Sequence, residues 1–168
     1  LGMAVVLTMA GGAFDLSFGA TLALTGVVVA KALNAGVPWP LAIVLGVALG
    51  GAVGAINGII VVRSKVPSLV VTLGTQSILL GVVPWLVSGA YVTLEPTSFS
   101  DIGRGEWLLG IPNETTVMLV VCGAGALFMH FCTPGRNLQA VGANPEASRL
   151  AGINVSAYVV GALAATGA

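Results

Sequence analysis

Several long stretches of the chain contain no Asp, Glu, Lys or Arg, among them residues 66–94 and 115–135. A helix needs about 20 predominantly apolar residues to cross the hydrocarbon core of a bilayer, so each stretch is long enough to span it. Only 7% of the 168 residues are charged, against about 25% in an average soluble domain. A soluble fold of this composition would have almost nothing polar to place on its surface. The sequence therefore predicts an all-α fold, a polytopic transmembrane helical bundle.

The apolar segments predict about five spans in a single transmembrane domain over residues 1–168. Gly, Pro and charged residues separate four full-length spans, at residues 16–34, 41–62, 67–88 and 114–132. A fifth span begins near Val155. Residues 1–10 are apolar but too short to cross alone, so they are expected to be part of a preceding span. Both ends of the chain fall inside apolar segments, so we expect a fragment truncated at both ends.

Basic residues are unevenly distributed between alternating loops. The loops at residues 63–65 and 133–154 carry Arg63, Lys65, Arg136 and Arg149, whereas the alternate loops and their flanks carry Lys31 and Arg104. Because short cytoplasmic loops are enriched in Lys and Arg, we expect the first pair of loops in the cytoplasm. The acid-rich loop at residues 89–113 then lies outside. The formal net charge is zero, which gives no indication of nucleic-acid binding.

Glycines recur every four residues in the second predicted span, at Gly46, Gly50, Gly54 and Gly58. This spacing leaves one face of the helix without side chains, and a second helix can approach such a face closely. Packing within the bundle is the simpler explanation of the repeat. A direct role in a solute pathway is the alternative.

A carboxylate and a hydroxyl lie between the first two apolar segments, in the run GGAFDLSFG at residues 11–19. Gly11 and Gly12 can adopt backbone conformations that other residues avoid. The pattern predicts a broken helix, which at membrane depth is tolerated only where protein or a water-filled cavity surrounds it. Asp15 and Ser17 are therefore candidates to line a solute pathway. Asp15 also precedes a helical run, where a carboxylate can simply cap free backbone amides.

Four further polar residues lie inside predicted spans: Asn57, Thr72, Thr75 and Gln76. The last three stand at i, i+3 and i+4, which places them on one helix face. Hydroxyl and amide groups of this kind suit the wall of a pathway for a sugar-sized solute. Hydrogen bonding between helices explains them equally well.

Neither a metal site, a cofactor site nor a catalytic residue is predicted. His130 stands alone near the end of the fourth predicted span, without a second ligand at metal-binding spacing, and we interpret it as interfacial. An intramembrane enzyme that used Asp15 or His130 would need a second catalytic group, and neither neighbourhood supplies one. No glycine-rich phosphate-binding loop occurs in the sequence, so any ATP hydrolysis would take place in another chain.

The most informative polar segment covers residues 135–155. Asn144 is a favourable N-cap and Pro145 suits the first helical position. Glu146 complements the dipole of the helix, and Gly152 is a natural C-terminal stop. These signals predict a short capped helix of about two turns on the cytoplasmic side. Such a helix either docks another protein or lies on the membrane surface.

Three segments carry a combined signature: residues 12–19 (GAFDLSFG), residues 66–75 (VPSLVVTLGT) and residues 135–155. In this order and spacing they resemble the permeases of ABC importers for ribose, xylose, arabinose and galactose. That family is itself related to branched-chain amino-acid permeases. The similarity covers essentially the whole chain.

The resemblance implies the multi-pass permease subunit of a bacterial inner-membrane importer, which is not itself an enzyme and binds no cofactor. It implies three kinds of partner: a second permease chain, identical or not, cytoplasmic ABC ATPase subunits, and a periplasmic sugar-binding protein. The ATPase-coupling residues would be Gly135, Arg136, Gly142, Asn144, Pro145, Glu146, Ala147 and Gly152. Transport of a monosaccharide would proceed by alternating access.

Two alternative functions remain open from the sequence. The first is a branched-chain amino-acid permease, which the related family suggests. The second is a passive solute channel or facilitator, whose spans and glycine faces would look similar. The predicted capped helix argues against the channel, because a loop that only joins two spans has no need of one.

Overall fold

The computed structural model describes residues 2–89, 92–93, 106–108 and 111–168. Within these ranges the chain forms eight helices and one antiparallel pair of short strands. The helices are α1 (Gly2–Ala10), α2 (Phe18–Asn34), α3 (Trp39–Ser64), α4 (Ser68–Leu86), α5 (Asn113–Phe131), α6 (Thr133–Ala143), α7 (Pro145–Leu150) and α8 (Val155–Gly167). The strands are β1 (Glu106–Leu108) and β2 (Ile111–Pro112). The prediction of an all-α membrane bundle is confirmed, and the strand pair ahead of α5 is an addition that the sequence did not indicate.

Among the described residues, three helices are long and apolar enough to cross a membrane. They are α3 with 26 residues, and α4 and α5 with 19 residues each. The apolar helices α2 and α8 are shorter, with 17 and 13 residues. The helix predicted to begin at residue 16 begins at Phe18, because residues 13–17 are not helical. The charged residues of the predicted outer loop, Glu95, Asp101 and Arg104, lie outside the described part of the chain.

Proline residues stand at the starts of the long helices. Pro38, Pro67 and Pro112 immediately precede α3, α4 and α5, with φ of −54°, −53° and −55°. The proline ring fixes φ and supplies no amide hydrogen, which suits the flank of a helix whose first amides have no partner in any case. α3 ends where Lys65 adopts the left-handed conformation, with φ of 57°.

The centre of the bundle is the pair α3 and α8, which make the most extensive contact between described elements. α2 packs against α3 and α4, and Leu24 and Leu79 are buried between them. A second buried cluster around Leu138 and Ala162 joins α6 to α8 and to the end of α5. The outward faces of α3, α4 and α5 expose large apolar side chains, as expected of surfaces that face lipid or another apolar chain.

The glycine repeat of α3 faces two neighbouring helices. Gly46 lies against α2, while Gly50, Gly54 and Gly58 lie against α8. A Cβ atom at Gly54 would overlap the backbone carbonyl of Leu163. α3 and α8 therefore reach this separation only because these positions carry no side chain.

The segment between α5 and α7 contains one helix more than the sequence predicts. α6 has Pro134 in its first turn and buries Gly135, Leu138 and Val141, which stand three residues apart. This apolar stripe is narrow and the rest of the segment is polar, so the helical period is weak there. The caps of α7 are a much clearer signal, and α7 alone is predicted.

Candidate functional site

Residues 11–17, which we call the break, interrupt the chain between α1 and α2. Gly12 has a φ of +74°, and the amides of Gly12 and Ala13 donate to the carbonyls of Met9 and Thr8. These two bonds close the end of α1 as a Schellman motif, which needs a left-handed residue and hence favours glycine. Asp15 and Ser17 in the second half of the break are buried. The expectation of a broken helix here is confirmed.

Asp15 holds the backbone in place just ahead of α2. Its Oδ1 atom accepts hydrogen bonds from the Ser17 amide at 2.8 Å and from the Ser17 hydroxyl at 2.6 Å. The side chain is 5% exposed, and none of the described basic groups forms an ion pair with it. A carboxylate that accepts from the amide two residues further along the chain stabilises a turn, and this turn leads into α2 at Ser17.

A chain of hydrogen bonds continues from Asp15 into α3 and α4. The Ser17 hydroxyl accepts from Asn57 Nδ2 at 3.1 Å, and Asn57 Oδ1 accepts from the Thr75 hydroxyl at 2.5 Å. We call Asp15, Ser17, Asn57 and Thr75 the polar network. The first three are buried and Thr75 is half-buried. Because three of the four members are buried away from water, an unpaired member would be costly.

α4 also holds the backbone of the break directly. The Thr72 hydroxyl accepts from the Leu16 amide at 3.2 Å and lies 3.3 Å from the Phe14 carbonyl, to which it can donate. Ser68, which is not among the predicted pathway residues, accepts from the Phe14 amide at 2.9 Å. Its position four residues before Thr72, on the same helix face, is the signal that could have identified it.

Gln76 is the one predicted pathway residue that the structure leaves outside these contacts. It is half-buried beside Thr75, and none of the described groups forms a hydrogen bond with its side-chain amide. The structure thus brings five of the six predicted residues together around the break. Gln76 stands at the edge of that cluster.

Two substitutions at Asp15 distinguish the contribution of its negative charge from the contribution of its hydrogen-bond acceptor. Asp15→Asn keeps an oxygen that can accept from Ser17, so we expect full-length protein with a midpoint of thermal unfolding close to wild type. Asp15→Leu leaves the buried Ser17 hydroxyl without this acceptor and is expected to lower the free energy of unfolding by about 1–3 kcal/mol. Thermal unfolding in detergent measures both. Equal losses for the two variants would show that the charge itself is required.

α6 packs directly against the break, backbone to backbone. A Cβ at Gly142 would overlap the Ala10 carbonyl, and a Cβ at Gly12 would lie 3.2 Å from the Gly142 Cα. The Leu138 side chain covers Gly11, with its Cδ1 2.8 Å from the place of a Cβ there. Any movement of α6 must therefore displace the break or open a gap beside it.

Side chains of α6 also tie it to the neighbouring helices. Arg136 Nη1 donates to the Phe131 carbonyl at 2.8 Å, at the end of α5, where a cation also complements the helix dipole. Gln139 donates to the Met129 carbonyl at 2.8 Å, and Asn137 donates to the Tyr158 hydroxyl of α8 at 2.9 Å. At Gly135 a Cβ would overlap the backbone of α5. α6 is thus fixed to α1, α5 and α8 together.

α7 has the caps that the sequence predicts. Asn144 Oδ1 accepts from the Ala147 amide at 3.0 Å, and Pro145 occupies the first turn. At the other end Gly152 has a φ of +81°, and the Ile153 amide donates to the Ser148 carbonyl at 2.9 Å. The prediction of a short capped helix is confirmed.

The outer side of α7 projects from the bundle. Pro145, Glu146 and Ala147 are exposed, and Leu150 is 89% exposed. Ser148 alone in the helix is buried. A capped helix that presents an apolar side chain in this way has a surface available to another protein.

The described residues contain no group of three or more His, Cys, Asp or Glu side chains placed to hold a metal ion. His130 is exposed near the end of α5, and its carbonyl lies 3.4 Å from Arg136 Nη1. Its position fits the interfacial interpretation.

A helical bundle with apolar membrane-crossing helices and a buried polar network beside an interrupted helix defines a multi-pass membrane protein of the transporter type. The family model described as "branched-chain amino acid transport system / permease component" matches residues 1–168. The chain belongs to this permease family. This match, together with the import-permease relatives described next, confirms the resemblance drawn from three sequence segments.

Within this family, the chain is similar to several curated import permeases. The chain is 36% identical over 162 residues to the ribose import permease protein RbsC of Escherichia coli (strain K12), covering 93% of this chain and 49% of the relative. It is 34% identical to RbsC of Haemophilus influenzae over 174 residues, covering 99% of this chain and 52% of the relative. It is also 32% identical over 173 residues to the autoinducer 2 import system permease protein LsrD of Escherichia coli O9:H4 (strain HS). This alignment covers 98% of this chain and 52% of the relative.

The chain spans about half the length of these relatives. No solved structure matches it.

Proposed function

We propose that the chain forms part of the permease subunit of an ABC importer that carries a monosaccharide across the bacterial inner membrane. Separate ATPase subunits supply the energy, and the permease itself hydrolyses nothing. The observation that carries the proposal is the contact between Gly142 of α6 and residues 10–12. Through this contact α6, which leads directly into the helix proposed to dock the ATPase, lies against the start of the break.

A sugar is the solute that the chemistry around the break favours. Hydroxyl, amide and carboxylate groups exchange hydrogen bonds with sugar hydroxyls, and no basic side chain among the described residues contacts the network to bind an amino-acid carboxylate. In our proposal Thr75 and Gln76, both half-buried, face the solute. The other four predicted residues stabilise the conformation of the break through their hydrogen bonds and do not contact the solute: Asp15, Ser17, Asn57 and Thr72. Two relatives are named for ribose import, which agrees with this choice.

The proposed docking surface for the ATPase is α7 with its flanks. Asn144, Pro145 and Gly152 fix the helix, and Glu146, Ala147 and Leu150 form the exposed side that meets the partner. Gly135, Arg136 and Gly142 do not form this docking surface. They hold α6 against α5 and the break, and so connect the docking surface to the rest of the bundle. A second permease chain and a periplasmic sugar-binding protein complete the proposed importer. Residues 63–65 and 133–154 lie on the cytoplasmic side of the membrane in this arrangement.

In our proposal, alternating access arises because α6 connects α7 rigidly to the break. When the ATPases close, they move α7, and α6 moves with it. The break has no continuous helical hydrogen bonding to resist displacement, and its side-chain bonds to α3 and α4 can be exchanged. ATP binding then favours the conformation in which the pathway opens on the other side.

Uptake by proteoliposomes tests the proposal. The full-length protein would be reconstituted with the ATPase and binding protein that co-purify with it, and supplied with radiolabelled ribose, xylose, arabinose, galactose or leucine. We expect accumulation of at least one monosaccharide that requires hydrolysable ATP. Accumulation of leucine alone would support the branched-chain amino-acid permease. Equilibration of a solute without ATP would support the passive channel.

Gly152→Val is expected to weaken ATPase docking more than membrane insertion. A side chain at Gly152 meets no atom within 4 Å, but its φ of +81° is strained for any residue with a Cβ and most of all for a β-branched one. The cost is about 1–2 kcal/mol, concentrated at the end of α7. Gly152→Asn is the matched control, because Asn tolerates this conformation. Equal recovery of the ATPase with both variants would count against a docking role for α7.

A further inference from the structure

A small basic cavity lies where the ends of α3 and α7 meet the start of α8. Its volume is about 270 Å³, and two cationic side chains, Lys65 and Arg149, line it together with the Ser156 hydroxyl. Its remaining walls are valine side chains of α3 and α8, among them Val62 and Val159. The cavity is thus lined by both cationic and apolar side chains.

The length of α3 places this cavity at a membrane surface. The helix has 26 residues and is therefore about 39 Å long, which exceeds the hydrocarbon thickness of about 30 Å. Trp39 stands at one end of α3, 41% exposed, as in the aromatic belts of membrane proteins. About 35 Å further along the axis, Val62 reaches the opposite edge of the hydrocarbon. Lys65 then lies at the level of the lipid headgroups.

Both cations of the cavity have N–H groups that are available to bind an anionic ligand. Lys65 is exposed, and no hydrogen bond or ion pair involves its ammonium group within the described ranges. Arg149 approaches Glu146 only at 4.0 Å, with both side chains mostly exposed, so this pair contributes little. Lys65 also adopts a left-handed conformation in which Gly or Asn is usual. Among the described residues, Glu146 is the one carboxylate that approaches either cation, so the cavity has a net positive charge.

We propose that this cavity binds the phosphate headgroup of an anionic phospholipid, such as phosphatidylglycerol. Lys65 and Arg149 bind the phosphate, and the Ser156 hydroxyl donates a hydrogen bond to it. The valines contact the glycerol and the start of an acyl chain. Basic pockets between helices at a membrane surface are suited to such headgroups. The site depends on α3 crossing the membrane and not on ATPase docking or sugar transport.

Lipid titration followed by native mass spectrometry tests the site. Full-length protein, stripped of lipid in mild detergent, would be titrated with short-chain phosphatidylglycerol or phosphatidylcholine. We expect tighter binding of phosphatidylglycerol. Lys65→Asn, which suits the left-handed backbone, and Arg149→Gln should each weaken its binding about fivefold, which corresponds to about 1 kcal/mol for each cation near a lipid surface. Val159→Trp, which fills the cavity without changing charge, should weaken it at least as much.

Arg63→Gln is the matched control, because Arg63 is a cation two residues from Lys65 that does not line the cavity. We expect it to change phosphatidylglycerol binding by less than twofold. A loss equal to that of Lys65→Asn would indicate diffuse surface attraction and overturn the site. Displacement of the lipid by glycerophosphoglycerol at equal concentration would show a site for free phosphate groups instead. Unchanged lipid binding with reduced ATPase recovery would assign the two cations to the protein partner and contradict the proposal.

Discussion

Full-length protein carrying Gly54→Val is expected to insert into the membrane without reaching its folded state. The position faces α8, where even a single Cβ would overlap the Leu163 carbonyl, and backbone atoms cannot yield as the end of a flexible side chain can. α3 and α8 would have to separate along the most extensive contact in the described bundle. Because close packing is the main force between helices in lipid, we expect a loss of about 3 kcal/mol or more.

Gly74→Val provides the matched control for this prediction. Gly74 is also a helical glycine, in α4, but no atom lies within 4 Å of a Cβ placed there. Size-exclusion elution of fluorescent fusions and the midpoint of thermal unfolding in detergent measure both variants. We expect a wild-type profile for Gly74→Val and an aggregated or strongly destabilised one for Gly54→Val. Similar midpoints for the two would contradict the packing described for α3 and α8.

Gly142→Val is expected to abolish ATP-dependent uptake while the ATPase still binds. A Cβ here overlaps the Ala10 carbonyl, so α6 must move away from the break, whereas the exposed side of α7 stays intact. The overlap falls on the end of α1 beside the non-helical break, which can shift more readily than the two paired helices at Gly54, so we expect a cost of about 1–3 kcal/mol in a bundle that still folds. We expect the initial rate of uptake to fall more than tenfold, with little change in the amount of co-purified ATPase.

The neighbouring substitution Ala143→Val keeps the test specific to the break. Ala143 is exposed at the end of the same helix, and a larger side chain there meets solvent or lipid headgroups. Its uptake rate should stay within about twofold of wild type, because an exposed substitution away from special features has a small effect. If Gly142→Val retained uptake, α6 would not act on the pathway through this contact.

Local signals in the sequence were sufficient for α7 and for the break. Asn144, Pro145 and Gly152 act within a few residues of one another, so their effects do not depend on the rest of the fold. The same holds for Gly12, whose left-handed conformation ends α1. The helices α3 to α5 were also predictable, because the bilayer demands a length and a composition that the sequence shows directly.

Tertiary contacts were beyond the sequence patterns. The spacing of Thr72, Thr75 and Gln76 indicated a shared face but not that Thr75 donates to Asn57 while Gln76 has no such partner among the described groups. Ser68 was missed because a serine near a helix start has several ordinary uses. α6 was missed because only three of its residues are buried, and its partner surfaces on α1, α5 and α8 are distant in sequence.

Affinity purification of the full-length protein from its native membrane in a mild detergent, with co-purifying chains identified by mass spectrometry, would show whether the chain works in an ABC importer. We expect recovery of an ABC-type ATPase. We also expect loss of that ATPase when residues 144–152 are scrambled in a protein that still inserts, as protease protection would show. If the permease were recovered without any ATPase, or if scrambling this segment left ATPase recovery unchanged, the proposed importer with its docking helix α7 would be wrong.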